Sequence, residues 1–182
     1  MKVILQNVRL AFPHLFEAKA VNEGEDKAFS ASFIFDKKHS ANKTVNDAVE
    51  AVALDKWEKE SDKVLKTLRA SDKVCLRSGD TKPDYDGFPG NMFISARNKA
   101  RPLVLDRDKS QLSAADGRPY GGCYVNATVD VWAQSNKYGK RINATLTGVQ
   151  FLKDGDAFIG ATPASVDDFE DLSLGSDASD LV

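Results

Sequence analysis

Two alternating segments near the C-terminal end constrain this chain more than any other feature. Residues 123–133, CYVNATVDVWA, put Cys123, Val125, Ala127, Val129, Val131 and Ala133 on one face and Tyr124, Asn126, Thr128, Asp130 and Trp132 on the other. A period of two is that of a half-buried strand. After the polar loop SNKYGKR, Ile142, Ala144 and Leu146 alternate in the same way with Arg141, Asn143, Thr145 and Thr147. Each strand carries a full apolar face that must be covered, so the pair calls for an antiparallel β-barrel or sandwich. Gly148 breaks the alternation and suits a bulge or barrel corner. Val149–Leu152 resumes it, and Lys153-Asp154-Gly155-Asp156 reads as a hairpin turn into Ala157–Ile159.

The first third predicts two further strands. Val3–Phe12 is apolar and ends at Pro13, which cannot donate to a ladder. Ala28–Phe35 alternates, with Phe29, Ala31, Phe33 and Phe35 on one face and Ser30, Ser32 and Ile34 on the other. Val45, Ala48, Val49, Val52, Ala53 and Trp57 then follow helical spacing, with Ser40 or Asn42 placed to cap the helix. Trp57 lies on that stripe and reads as core. A second helical segment spans about 59–68. Residues 78–90, SGDTKPDYDGFPG, form a long Gly/Pro/Asp loop, and long loops inside compact domains are often functional. Short strands are expected at Asn91–Asn98 and Leu103–Asp106.

Charge divides the chain. Its 182 residues carry a net −2, but six carboxylates and no Lys or Arg fall from Asp167 onward, leaving residues 1–166 with 25 basic and 21 acidic side chains, net +4. A basic body can neutralise phosphates, and an acidic terminus can occupy the same surface when no nucleic acid is present; it can equally be a solubilising tail. No run of 18 apolar residues exists and the N-terminus has no signal-peptide pattern, so no membrane association and a cytoplasmic location are expected. Cys75 and Cys123 form no CxxC pair and read as plain thiols.

Catalytic signatures are scarce. His14 and His39 lie near no second metal-ligand type and read as surface residues, and no nucleophile elbow, P-loop or HExxH occurs. No catalytic residue, metal or cofactor is assigned. A metal-dependent nuclease would have to use Asp80, Asp84, Asp86, Asp106 or Asp130. Single-strand binders instead combine a cationic groove with aromatics that stack on bases. Tyr124 and Trp132 stand on the polar face of the 123–133 strand, and the hairpin loop adds Lys137, Tyr138, Lys140 and Arg141. Arg97, Lys99 and Arg101 follow Phe93 and could line the same groove, with Tyr120 as a further stacking candidate. Trp132 is equally able to cover a second core, and Phe93 to be core itself.

NVRLAFPHLFEAK, RSGDTKPDYDGFPGNMFISARNKARPLVLD and GCYVNATVDVWAQSNKYGKRINATLTGVQFLKDGDAF carry a family pattern. Over about residues 3–160 the chain resembles a tailed-phage family of single-stranded DNA-binding proteins, formerly an uncharacterised phage family and similar in architecture to those of podophage replication. The resemblance implies a mainly β, OB-fold-like antiparallel barrel with a helical insertion over residues 1–163, and a flexible acidic tail over 164–182. It implies sequence-independent binding of single-stranded DNA, with weaker binding of duplex, in phage replication, recombination or repair. It further implies contacts of the tail with replication proteins and a possible homodimer, in the host cytoplasm. The chain departs from the pattern of related tails in ending Asp180-Leu181-Val182, with no terminal aromatic. A phage structural or adaptor protein, using the exposed aromatics as a protein interface, is the other reading.

Overall fold

The computed structural model describes residues 1–20 and 22–158. Seven strands and two α-helices follow one another as β1 (Lys2–Lys19), β2 (Ala28–Asp36), α1 (Ser40–Trp57), α2 (Ser61–Ala70), β3 (Leu76–Ser78), β4 (Asn91–Asn98), β5 (Leu103–Leu105), β6 (Tyr124–Asn136) and β7 (Gly139–Lys153). The sheet order is β3-β4-β2-β1-β6-β7-β5, and a parallel pairing of β4 with β7 at Arg97 and Thr145 closes β1, β2, β4, β7 and β6 into a five-stranded barrel. Closure removes the edges that an open sheet would expose.

β1 makes the closure possible by serving two partners. Residues 2–9 pair with β6 and residues 9–19 with β2. A strand that changes partners must bend, and β1 bends at irregularities after Leu5 and Ala11, where Asn7 and Phe12 adopt left-handed φ of 52° and 47°. Sequence reasoning ends this strand at Pro13; in the structure the strand continues to Lys19. Pro13 sits in the bulge, where Phe12 and Pro13 together oppose the single residue between Ser30 and Ser32, so its missing N–H costs no ladder bond.

The alternation of β6 and β7 survives intact. Val125, Ala127, Val129, Val131, Ile142, Ala144, Leu146, Val149 and Phe151 are all buried in the barrel. The register slips at Thr128/Gly148 and Val129/Leu146, leaving Thr147 as the extra residue of the bulge expected at Gly148. Ala41, Val45, Ala48, Val49 and Ala53 of α1 press into the same core, with Val52 and Trp57 packed at its margin. The helix is capped by His39, whose Nδ1 accepts from the Ala41 N–H at 3.0 Å, rather than by Ser40 or Asn42.

Two departures bear on the outer surface. Ile34, expected on the polar face of β2, is buried there with Ala11, Phe88 and Phe93, forming a second small core outside the barrel, with Phe158 against it. Residues 154–158 form no hairpin. They run back as a strap across β1 and β6: the Phe158 N–H donates to Gly121 O at 3.0 Å, and Arg9 donates to Asp156 O at 2.7 Å. Gly122 and Gly155 permit this because their backbones touch, and a Cβ on Gly122 would come within 2.8 Å of Ala157 Cα. The expected 163/164 boundary, Ile159 and the acidic tail lie outside the described residues. Among the described residues no helix is long and apolar enough to cross a membrane.

Candidate nucleic-acid interface

The outer face of β1, β2 and β4 forms three rows across the barrel. One row is apolar: Ile34 stands opposite Phe93, and Phe93 opposite Arg77 of β3. The next holds only small groups, Ala11, Ser32 and Ser95, the two hydroxyls 3.3 Å apart. The third runs from His14 through Ser30 and Arg97 to Thr145 of β7. Small residues between tall borders make a trough. The 78–90 loop, carrying Lys82 and Tyr85, rises on one side, and the β6–β7 hairpin, carrying Trp132, Gln134, Arg141 and Asn143, rises on the other. The resulting groove encloses about 1040 Å³.

Its charge is lopsided. Lys19, Arg77, Lys82, Arg97 and Arg141 line it, against Glu25 and Asp72. Arg77 is half-buried: its guanidinium lies 4.9 Å over the Phe93 ring and donates to Ser95 Oγ at 3.3 Å, while its Nε is buried without an acceptor. Burial pulls its pKa down from the usual arginine range, and Arg141 adds repulsion that Asp72 opposes. His14, also in the groove, is held below the ordinary histidine range by burial and by Lys19.

The sequence-predicted residues divide into four groups. Arg97, Trp132 and Arg141 line the groove. Trp132 is 42% exposed, its Nε1 donating to Thr145 Oγ1 at 3.1 Å, so the indole is pinned across the hairpin with its ring available. Lys137, Tyr138 and Lys140 stand on the hairpin tip beyond the groove, Tyr138 77% exposed. Lys99 and Arg101 lie past the end of β4, Lys99 paired with Asp26 at 2.8 Å and Arg101 over Phe16. The last group corrects expectation. Phe93 is wholly buried between Arg77 and Phe88 and presents no face to a base. Tyr120 and Tyr124 lie under the strap: Tyr120 Oη donates to Asp154 at 2.7 Å, and the Tyr124 ring meets Gly155 and Lys153. Both support that strap and neither lines the groove.

Sequence reasoning missed Phe12, Lys82, Tyr85, Arg77 and Lys19. Phe12 and Tyr85 are 44% and 50% exposed and meet edge to face at 5.1 Å. The available signals were an aromatic before Pro13, and Lys82 and Tyr85 within a long loop.

Three of the five aspartates of the nuclease reading have separate structural partners. Asp80 accepts from the Gly90 N–H at 2.7 Å, Asp106 pairs with Arg118 at 2.6 Å, and Asp130 pairs with the Met1 amino group. Among the described residues no three His, Cys, Asp or Glu side chains gather as a metal site. Burial pushes the thiols of Cys75 and Cys123 up to about 12 and about 11, which keeps both protonated and unreactive.

The barrel has counterparts among known proteins. The chain matches, over residues 1–181, the family described as Enterobacter phage Enc34, ssDNA-binding protein. The chain belongs to that family. Protein p50 of Acyrthosiphon pisum secondary endosymbiont phage 1 is 45% identical over 180 residues, covering 97% of each chain. The single-stranded DNA-binding protein of bacteriophage Enc34, solved in complex with ssDNA, superposes with a TM-score of 0.74 at 30% identity, over 87% of this chain and 89% of that one. The fold also matches gp2.5, a single-stranded DNA-binding protein encoded by bacteriophage T7, with a TM-score of 0.54 at 10% identity over 84% and 91% of the two chains. The OB-fold-like barrel implied by the family resemblance is thus the fold of this chain.

Proposed function

We propose that this chain binds single-stranded DNA irrespective of sequence, in the groove between the 78–90 loop and the β6–β7 hairpin, and serves phage DNA replication, recombination or repair. The observation that carries this reading is the groove itself: five cations against two carboxylates over a floor of small hydroxyl side chains, bordered by an exposed indole. Cations meet phosphates, which every strand has, and aromatic faces accept any base, so neither element selects a sequence. Family membership supports the same reading, since the Enc34 relative was solved with ssDNA. Arg97, Arg141 and Trp132 act within the groove. Lys137, Tyr138 and Lys140 extend the contact along the hairpin, and Lys99 and Arg101 guide the strand past the end of β4.

Fluorescence anisotropy with labelled oligo-dT tests this directly. If each of the five groove cations meets one phosphate, the logarithm of the binding constant should fall with the logarithm of salt with a slope of about −3.5. Trp132→Ala should weaken binding by about 1–3 kcal/mol, the worth of one stacked base. No binding to oligo-dT at low salt would overturn the reading.

The acidic terminus enters the same proposal as a competitor for the groove and a contact for replication proteins. Its six carboxylates are opposite in sign to the groove. Ending the chain at Val166 should raise affinity for oligo-dT most at low salt, where the competition is least screened. Equal affinities with and without the terminus would leave it a solubilising segment.

A further inference from the structure

Four side chains at the loop end of the groove form an arrangement that the barrel does not need for its own stability. Phe12 and Tyr85 are large aromatics, both about half exposed, set edge to face. Aromatic rings are ordinarily buried, and a pair left open beside a groove calls for a reason. Phe12 stands there at a cost, because its φ of 47° is a conformation that a bulky residue rarely adopts. Backbone strain of this kind persists at ligand clamps, where the ring's position is what matters. The bulge at Phe12–Pro13 turns the ring outward, to the side of the strand that faces the 78–90 loop.

Beside the pair stand two unneutralised cations. Lys82 Nζ lies 5.5 Å from the Tyr85 ring centre, 6.0 Å from that of Phe12 and 5.9 Å from that of Phe93. Arg77 lies 4.9 Å from the same Phe93 ring. One buried ring therefore gathers two like charges. Among the described residues neither pairs with a carboxylate, although the chain pairs Lys37, Lys43, Arg69, Lys99 and Arg118 elsewhere. Arg77 also keeps a buried Nε without an acceptor. Two cations gathered on one ring, neither held by a carboxylate, can together take an anion with several oxygens.

We infer that Phe12 and Tyr85 form a base shelf and Arg77 and Lys82 the adjoining phosphate seat, so that together they hold one nucleotide of a single strand. The inference rests on the single-strand reading above and assigns this loop end of the groove a role distinct from that of the Trp132 wall. An aromatic shelf accepts any unpaired base, whereas a base locked in a duplex presents no free face to it. The subsite therefore selects for single strands without selecting a sequence.

The test uses the full chain and two probes of equal length, oligo-dT and an oligomer of abasic residues that keeps the sugar–phosphate backbone. Phe12→Ala with Tyr85→Ala should weaken binding to oligo-dT about ten-fold and leave the abasic probe unaffected. Arg77→Gln with Lys82→Gln should weaken both probes and make the salt slope shallower by about 1.4. Lys82→Gln alone should give half that change in slope, and it avoids altering a half-buried arginine. Phe12→Gly supplies a readout that a structural role would not produce: the left-handed backbone is relaxed, so the thermal midpoint should hold or rise while affinity for oligo-dT falls. Unchanged oligo-dT affinity in the aromatic variant, an equal loss on the abasic probe, or an unchanged slope in the cation variants would overturn the subsite while leaving single-strand binding intact. Failure of the unmodified chain to bind oligo-dT would remove the basis of both.

Discussion

Replacing Lys19, Arg97 and Arg141 together by glutamine should weaken binding to oligo-dT about a hundred-fold near 0.1 M salt. Each phosphate neutralised on a single strand contributes about 0.7 to the salt slope, so three lost contacts should flatten it by about 2. The three residues approach the groove from different elements: Lys19 from the end of β1, Arg97 from β4 and Arg141 from β7. All three are exposed, and exposed substitutions of this kind usually change stability by no more than about 0.5 kcal/mol. Arg97 also donates to Asp26 O at 3.3 Å, a solvent-exposed contact whose loss costs little. The decisive quantity is the slope of affinity against salt, with the unfolding midpoint as control. A slope equal to that of the unmodified chain would mean that the strand runs elsewhere, along the hairpin tip of Lys137 and Lys140.

Gly79→Ala should destabilise the protein by about 3 kcal/mol and weaken DNA binding with it. Gly79 closes the base of the 78–90 loop, where its backbone passes against that of Phe88. A Cβ there would lie 2.6 Å from the Phe88 carbonyl carbon and 2.9 Å from Asn91 O, and backbone atoms cannot yield as a flexible side chain can. Overpacking of this kind commonly costs about 1–3 kcal/mol. The top of that range is expected because the loop is stapled shut: Gly79 O accepts from the Lys82 N–H at 2.9 Å, Asp80 accepts from the Gly90 N–H at 2.7 Å, and Asn91 donates to Gly87 O at 2.8 Å. The Gly90 N–H, with help from Lys37, holds the Asp80 carboxyl below the usual carboxylate range. Displacing the loop moves Phe88 off the outer core and carries Lys82 and Tyr85 away from the groove. Gly90→Ala is the matched control. Nothing stands within 4 Å of its Cβ, so its cost is the left-handed backbone alone, about 1 kcal/mol. Chemical unfolding and oligo-dT titration of the two variants should separate them clearly; equal losses would mean that the closure at Gly79 matters no more than the backbone conformation at Gly90.

The strands that carry the barrel are legible because their signal is local. In β6 and β7 the apolar side chains alternate with polar ones, and those apolar residues are buried in the barrel core. The helical stripe of α1 reads equally well, since its buried residues recur at helical spacing. Two local readings fail for reasons that lie outside the segment concerned. Pro13 ends a strand in isolation, yet here a bulge absorbs it, and only the pairing with β2 shows the bulge. The turn at 153–156 has hairpin residues, but the segment after it is drawn back across Gly121 and Gly122 instead of pairing with β7.

The candidate site divides in the same way. Trp132 and Arg141 belong to a hairpin whose geometry follows from its own alternation, so the sequence alone brings them to one wall. Tyr124 lies on the same face of the same strand, but the barrel twists along β6, and the strap covers that end. Phe93 shares its strand face with Ser95 and Arg97, and the 78–90 loop buries it. No sequence period distinguishes a covered outer face from an open one.

The sequence by itself determined which faces of β6, β7 and α1 are buried, the mainly β class and the basic body with its acidic terminus, because periodicity and charge are properties of adjacent residues. Tertiary structure alone decided that Ser32 and Ser95 lie side by side as a trough, that Arg77 and Lys82 share one ring, and that Phe12 meets Tyr85. Ser32 and Ser95, and Phe12 and Tyr85, are far apart in the chain, Arg77 and Lys82 meet only through the Phe93 ring of another strand, and the register of a closed barrel is set by all of its strands at once.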